Sequence, residues 1–531
     1  MNIKGILSRK TARAVVLAAL APCAAFTANA AYDYYWFGTA GDGLWTNAAN
    51  WSSSSNEYIA VTRYPNSSNK DSGYRVHIDT AIASDHHVTI VVPKLSSDAP
   101  ACFALEIFDS TASGVLSLVG EVNEDGRTGF PLGSNWKPTW TETGHPMSLE
   151  LYNFVLRNGT LSVVENECAG CSVLVSNCVG TSTDNSYYMR LPGQHGGTMT
   201  IIDSEITTQR LNGTSDSDVA GYVFAVTNST IRIGADCYVG GPGTVVDFFN
   251  STIAFGMYAP VFGAKGSQTA DNHSNMKITF KNSTISPNGR FFYFISTGGT
   301  LLFDNVVQAS DSDGFELVGF VRTEVRNTSL RFRGTTSNGY RGISGDLILD
   351  NSEWLSTNSS QNIALNGPLR VEFRGRAPRF GGRQIAASAG QPLTFDFLVP
   401  KGGYAYPPVN RMDNPATGFN FPSGVVGGSI NVLSASPAVR ASGTLLQPLI
   451  YVKDVRSNQP VCALANLTLT TLPNEKSKFL VTKDYSWEYE DVNSKAESDW
   501  TEVATGYTQN FVAGVAVKLV GMPKSTMILL H

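Results

Sequence analysis

Between about residues 100 and 400, apolar and polar positions alternate over short runs that keep restarting. Met199 and Ile201 are set against Thr200 and Ile202, Lys277 and Thr279 against Ile278 and Phe280, and Leu347 and Leu349 against Ile348 and Asp350. Glycine opens many of these runs, at Gly197, Gly241, Gly299, Gly345 and Gly367. Each run ends in a polar phrase, an Asn or Asp between an apolar residue and an Ile, Val or Leu. The clearest copies are Asn228-Ser229-Thr230-Ile231, Asn250-Ser251-Thr252-Ile253 and Asn282-Ser283-Thr284-Ile285. A period of two, a polar corner and a second apolar run predict strand–turn–strand. Helical periodicity is lacking over this stretch.

Looser copies of the phrase begin at Asn153, Asn177, Asp203, Asp304, Asn327, Asn351 and Arg374. The separations along the series are 24, 26, 25, 22, 32, 22, 23, 24 and 23 residues. A nearly fixed period of this size marks a repeat architecture. Leucine-rich spacing is absent, and ankyrin or tetratricopeptide units would need helices. The remaining solution is an all-β parallel coil. A unit of roughly 23 residues, at about 3.3 Å per residue, traces a path near 75 Å around and stacks on the next at about 4.8 Å. Equivalent corners then lie above one another. Asn228, Asn250, Asn282, Asn327 and Asn351 are expected to form a side-chain amide ladder. The apolar residue three places later turns inside, so Asn and Ile are expected to carry the period rather than the residues between them. Asn-Ser-Thr is also a glycosylation sequon, but the repeat accounts for it without glycans.

On these Asn phrases and their following apolar residues, the chain resembles the right-handed parallel β-helix superfamily. That superfamily holds the pectin-lyase-like enzymes, pectate lyases among them, and autotransporter passengers. The resemblance covers about 100–400 and concerns the fold. It implies a β-helix solenoid over 101–399. The segment 31–100, with Tyr32, Tyr34, Tyr35, Trp36, Trp45 and Trp51 among glycines, is similar to the start of large bacterial surface β-helix proteins. It reads as an N-terminal cap, the alternative being an aromatic platform for sugar rings.

The first 30 residues read as a secretory signal. Lys4, Arg9, Lys10 and Arg13 precede the apolar stretch Ala14 to Phe26, and Ala28-Asn29-Ala30 forms a cleavage site. The stretch is too short for a membrane span, and Pro22 before Cys23 argues against a lipoprotein box. Without the signal, 35 basic residues face 44 acidic ones, a net charge near −9 that makes no case for nucleic acid. The Pro/Gly-rich stretch Pro400 to Gly428 reads as a linker. Beyond it, runs at Leu449–Val452, Leu467–Leu472, Lys478–Val481 and Val512–Leu519 suggest a C-terminal cap or small β domain over 400–531, with one short helix within Asp491 to Thr501. Too few ten-residue alternating strands are present for an outer-membrane barrel. The expected location is extracellular or on the cell surface, with the periplasm as an alternative.

Six cysteines remain after the signal, and an even number in an exported protein permits disulfides. Cys168, Cys171 and Cys178 cluster. They are open to three readings: buried thiols in the coil interior, a disulfide near the Asn153–Asn177 coil, or a zinc site completed by His195. His86 and His87, adjacent on an alternating run, point to opposite faces and do not chelate together. No metal or other cofactor is called for.

Lyases of the resembling superfamily hold calcium with clustered acids and use an Arg or Lys base. The acid pairs Asp216/Asp218 and Asp311/Asp313 lie about four coils apart at different offsets and are not expected to meet. Glu205 and Glu353 share a register position several coils apart. No set of carboxylates on neighbouring coils is apparent. Between Arg322 and Arg383 the basic residues are ten arginines against five acids. A stripe of Arg326, Arg331, Arg333, Arg374 and Arg376 would suit acidic or sulfated polysaccharide. The competing reading places them as solvated outer positions with local acid partners. The expected function is non-enzymatic adhesion or glycan contact at a host or neighbouring cell surface. The alternatives are a polysaccharide lyase or glycoside hydrolase on the same coil, and a structural piece of an outer cell layer.

Overall fold

The computed structural model describes residues 33–66, 75–93, 104–123 and, with short interruptions, 126–398. It then describes the segments 426–432, 450–451, 464–471, 477–484, 495–504, 507–511 and 516–521. These residues are all-β, and the repeat forms a parallel β-solenoid of about 8 turns. One turn shows the plan. Tyr222–Thr227 runs along a first sheet, Asn228 turns the corner, Thr230–Ile233 lies in a second sheet, and Cys237–Val239 lies in a third. The next turn repeats this with Val245–Phe249, Thr252–Phe255 and Val261–Gly263, each strand parallel to its counterpart and in register.

The corner explains the asparagine. Asn153, Asn177, Asp203, Asn228, Asn250, Asn282, Asn305, Asn327 and Asn351 all have φ between 47° and 66°. This left-handed conformation costs most residues about 1–2 kcal/mol, but Asn and Asp enter it more readily. Two expected markers shift by one residue. The corner after Lys281 is followed one coil later by Asn305, not Asp304, and the last is Gly375 at φ 77°, not Arg374. Asp304 and Arg374 are instead the final residues of first-sheet strands. The amides do form rungs: Asn177 donates to Asn153 at 2.7 Å, Asn305 to Asn282 at 3.0 Å, Asn250 to Asn228 at 3.3 Å and Asn351 to Asn327 at 3.4 Å.

The residue after the corner was expected to be incidental, and it is not. Its side chain is buried and accepts the backbone N–H of the equivalent residue one coil earlier. Ser204 N–H donates to Ser229 Oγ at 3.0 Å, Ser229 N–H to Ser251 Oγ at 3.1 Å, and Ser251 N–H to Ser283 Oγ at 3.2 Å. Thr328 and Ser352 continue the pattern at 2.9 and 3.1 Å. The flanking amides keep backbone acceptors, Asn228 N–H on Phe249 O and Thr230 N–H on Ser204 O, while the Ser229 amide between them is met by a small hydroxyl instead. The residue three after the corner faces inward as expected, with Ile206, Ile231, Ile253 and Ile285 in one buried row.

In-register stacking also places like side chains face to face. Phe248, Phe280 and Phe303 stack at 5.0 and 5.2 Å along the first sheet, and Phe262 stacks on Phe294 at 5.1 Å along the third. Aromatic pairs of this kind add about 0.5–1.5 kcal/mol each beyond their burial.

Parallel stacking crosses the boundaries expected at 101 and 399. His87–Val92 and Val115–Gly120 precede Ser148–Tyr152 in the first sheet, while Leu393–Leu398, Val426–Val432 and Leu464–Thr471 extend it. Tyr507–Phe511 then pairs antiparallel with Leu464–Thr471. At the other end, Asp33–Trp36, Arg75–Asp79, Ala104–Phe108 and Pro138–Trp140 stack in parallel, and Trp51–Ser52 closes them antiparallel. An antiparallel partner ends a parallel ladder and covers its edge. A separate antiparallel sheet near the C-terminus joins Ile450–Tyr451, Ala516–Gly521, Ser477–Thr482 and Thr501–Val503. The short helix expected there is a single turn of 3-10 helix at Glu497–Asp499.

Candidate functional site

The first sheet turns one face outward, and its alternate residues form rows along the solenoid axis. On the later coils these rows become charged. The row next to the corner reads Lys281, Asp304, Arg326, Asp350 and Arg374. The middle row reads Leu302, Glu324, Ile348, Glu372 and Asp396, and the third reads Lys277, Thr300, Arg322, Asp346 and Arg370.

Glu324 binds Arg322 through one carboxylate oxygen and Arg326 through the other. Two coils later Glu372 repeats this between Arg370, at 2.9 Å, and Arg374. Arg370 also reaches across coils, to Asp346 at 3.1 Å and to Asp396 at 2.5 Å. The carboxylates of Glu372 and Asp396 are almost wholly covered, each residue being 3–4% exposed. Although its burial works against the charge, the hydrogen bond that Arg370 donates to Asp396 and the charges of Asp396, Glu372 and Asp346 move the Arg370 pKa upward. Buried carboxylates need such partners, since an unpaired charge there would cost several kcal/mol.

This geometry revises the expected arginine stripe. Arg326 and Arg374 do share a row, two coils apart, but Arg374 stands one residue before its corner rather than on it. Arg331 is on a different face, exposed on the strand Ser329–Phe332 of a separate three-stranded sheet, where its Nε meets Ser329 Oγ at 3.4 Å. Arg333 and Arg376 lie outside the described residues. The arginines that join Arg326 and Arg374 are Arg322 and Arg370. Carboxylates on neighbouring coils at one register, not apparent from the sequence, are present as Glu372 and Asp396. The offset from the corner could have shown the middle row, because Glu324, Ile348 and Glu372 each stand three residues before Asn327, Asn351 and Gly375.

Other candidates resolve individually. Glu205 pairs with Arg232, and Glu353 accepts from Ser329 at 2.8 Å. Asp216 and Asp218 lie outside the described residues. Cys171 and Cys178 are buried, and Cys168 lies outside the described residues. Cys178 takes the place of the post-corner serine, its sulfur accepting the Phe154 N–H at 3.4 Å. His86 and His87 diverge, to Asp109 and Ser117. Trp36, Trp45 and Trp51 are buried with ring centroids 4.9 Å apart around Trp51, and the Trp45 and Trp51 indoles donate to backbone carbonyls. These three rings are core and present no face to a sugar.

Chemically, the outer rows are a lattice in which guanidinium groups bridge carboxylates. Among the described residues no group of three or more His, Cys, Asp or Glu side chains is arranged to hold a metal ion, and no helix is long and apolar enough to cross a membrane. The chain matches no family model, no curated protein and no solved structure at a significant level.

Proposed function

We propose that the chain is an exported or cell-surface β-solenoid of the pectin-lyase-like kind that works without catalysis, as a stiff rod contacting acidic or sulfated glycan. The observation that carries this reading is the corner-side row of the first sheet. It presents Lys281, Arg326 and Arg374 on one face at every second coil, about 10 Å apart by the usual strand spacing. A linear polymer with regularly spaced anionic groups meets such a face at several points at once, so weak contacts add through effective concentration. Retention on sulfated and carboxylated polysaccharide columns tests it. Arg326→Ala with Arg374→Ala should cut retention by salt at least twofold, and unchanged retention would remove this face as the contact.

One observation favours the enzymatic alternative, a polysaccharide lyase or hydrolase. Glu372 and Asp396 occupy one register on adjacent coils with Arg370 between them. Their coverage and their guanidinium partners weigh toward a structural role. A depolymerisation screen with and without calcium, comparing the chain with Glu372→Gln, separates the two: activity lost in that variant would establish the alternative.

A further inference from the structure

At the N-terminal end, the outward row of the stacked strands reads Tyr35, His77, Glu106 and Thr139. His77 is flanked on both sides. Its Nε2 faces Asp33 Oδ1 at 3.0 Å and its Nδ1 faces Glu106 Oε2. The Tyr35 ring stacks on the imidazole at 4.6 Å. Only the doubly protonated ring can donate to both carboxylates; a neutral imidazole has one N–H and would turn a lone pair toward the other acid. The side chain is 13% exposed, so water does little to replace a lost partner.

We propose that His77 is a proton-operated latch that ties three successive strands, Asp33–Trp36, Arg75–Asp79 and Ala104–Phe108, into one unit. Protonated, it clamps the first strand to the solenoid through Asp33. Deprotonated, it keeps at most one tie, and Asp33–Trp36 loosens together with Trp51–Ser52, its antiparallel partner. The charged and titratable groups around the ring are Asp33 and Tyr35 on the first strand, Arg75 and Asp79 on its own strand, and Glu106 on the next. Asp79 turns to the Ala81 N–H and Arg75 is exposed, which leaves Asp33 and Glu106 as the governing pair. Burial alone would depress the imidazole pKa, but the hydrogen bonds and charges of Glu106 and Asp33 outweigh it and the net movement is upward from 6.5.

Two measurements on the full chain test this. Deuterium exchange at the imidazole C2 position reads the His77 midpoint without any substitution, and it should lie above the ordinary value near 6.5. A midpoint at or below that value overturns the latch. Amide exchange over 33–52, corrected with the Lys277–Lys281 amides for the intrinsic effect of pH, should accelerate as pH rises through that midpoint. His77→Gln should abolish the step and Asp33→Asn should move it to lower pH. A step that persists unchanged in His77→Gln also overturns it. If that variant does not fold, the C2 midpoint of the unaltered chain decides alone.

Discussion

Removing one hydroxyl from the buried ladder isolates what the post-corner residue contributes. In Ser251→Ala the Ser229 N–H loses the acceptor that stood 3.1 Å away. Ser251 Oγ also donates to Phe249 O at 2.7 Å, with Val226 O a longer alternative at 3.3 Å, but Phe249 O keeps the Asn228 N–H at 3.0 Å and Val226 stays within its parallel ladder. The perturbation therefore reduces to one orphaned buried amide, worth about 1–3 kcal/mol. At the middle of that range the Ser229 amide should exchange roughly 30-fold faster, since about 1.4 kcal/mol is a factor of ten. Ser251→Cys should cost less than Ser251→Ala, because Cys178 already fills the equivalent place. Amide exchange is the right assay. A solenoid is held by contacts between neighbouring turns and can open locally without global unfolding. Thr252→Ala, one residue on and outward-facing, is the control and should stay within about 0.5 kcal/mol. Equal protection of Ser229 in Ser251→Ala and Thr252→Ala would refute the reasoning.

Asn250→Ala should lose about 1–2 kcal/mol to its φ of 49°, while Asn250→Gly should lose less despite sharing the loss of the amide rung; urea titration of both ranks them. Phe280→Ala removes the ring between Phe248 and Phe303 and should cost about 3–5 kcal/mol, read as a fall in the denaturation midpoint. Arg370→Ala takes a guanidinium partner from two covered carboxylates, Asp396 and Glu372, the latter keeping Arg374, and should cost about 3 kcal/mol, the low end for breaking a buried pair because the guanidinium side chain is itself 37% exposed. Buried His273 accepts the Gly241 N–H through Nδ1 at 2.9 Å, and burial lowers its pKa. Its folded form resists protonation, so its contribution is whole above about 6.5 and fades as pH falls below that value. His77 has the opposite sign, with stability whole below about 6.5 and lost as pH rises through its elevated folded pKa. A stability–pH curve in His273→Gln should accordingly lose the part of its acid-side decline that begins near 6.5.

The fold was legible because its physics repeats. Each coil needs one residue that enters the left-handed region and one that fills the interior, and Asn228, Ile231 and their counterparts declare both in plain sequence. The one-residue errors at Asp304 and Arg374 share a cause. A strand ending in a polar residue resembles the corner that follows it, and only the backbone separates Asp304 from Asn305. The terminal coils were harder for the complementary reason. Strands such as His87–Val92, Val426–Val432 and Leu464–Thr471 stack by the same hydrogen bonds but have no Asn phrase after them, so nothing in the sequence announces that they belong to the same ladder.

The outer surface obeys a different logic, and that is why its charges were misgrouped. Inward positions are constrained by volume, so a row of Ile or Phe survives as a visible period. Outward positions are constrained only by their neighbours above and below, which in sequence are some 22 to 26 residues away on either side. Arg370 is the case that shows it. Its acids come from its own strand, from Asp346 on the coil before and from Asp396 on the coil after. In the linear chain those four residues look like scattered surface charges. Density of arginine was the visible signal, and it pointed to an open basic stripe. Counting back from the corner assigns each charge to a row, and the rows show that Arg322, Arg326, Arg370 and Arg374 are each already bound to an acid. For a glycan to use Arg326 or Arg374 it must compete with Glu324 or Glu372, so its anionic groups would have to arrive several at a time. Binding of this sort should be lost with short oligosaccharides and recovered with long ones, and equal affinity for a disaccharide and a polymer would contradict it.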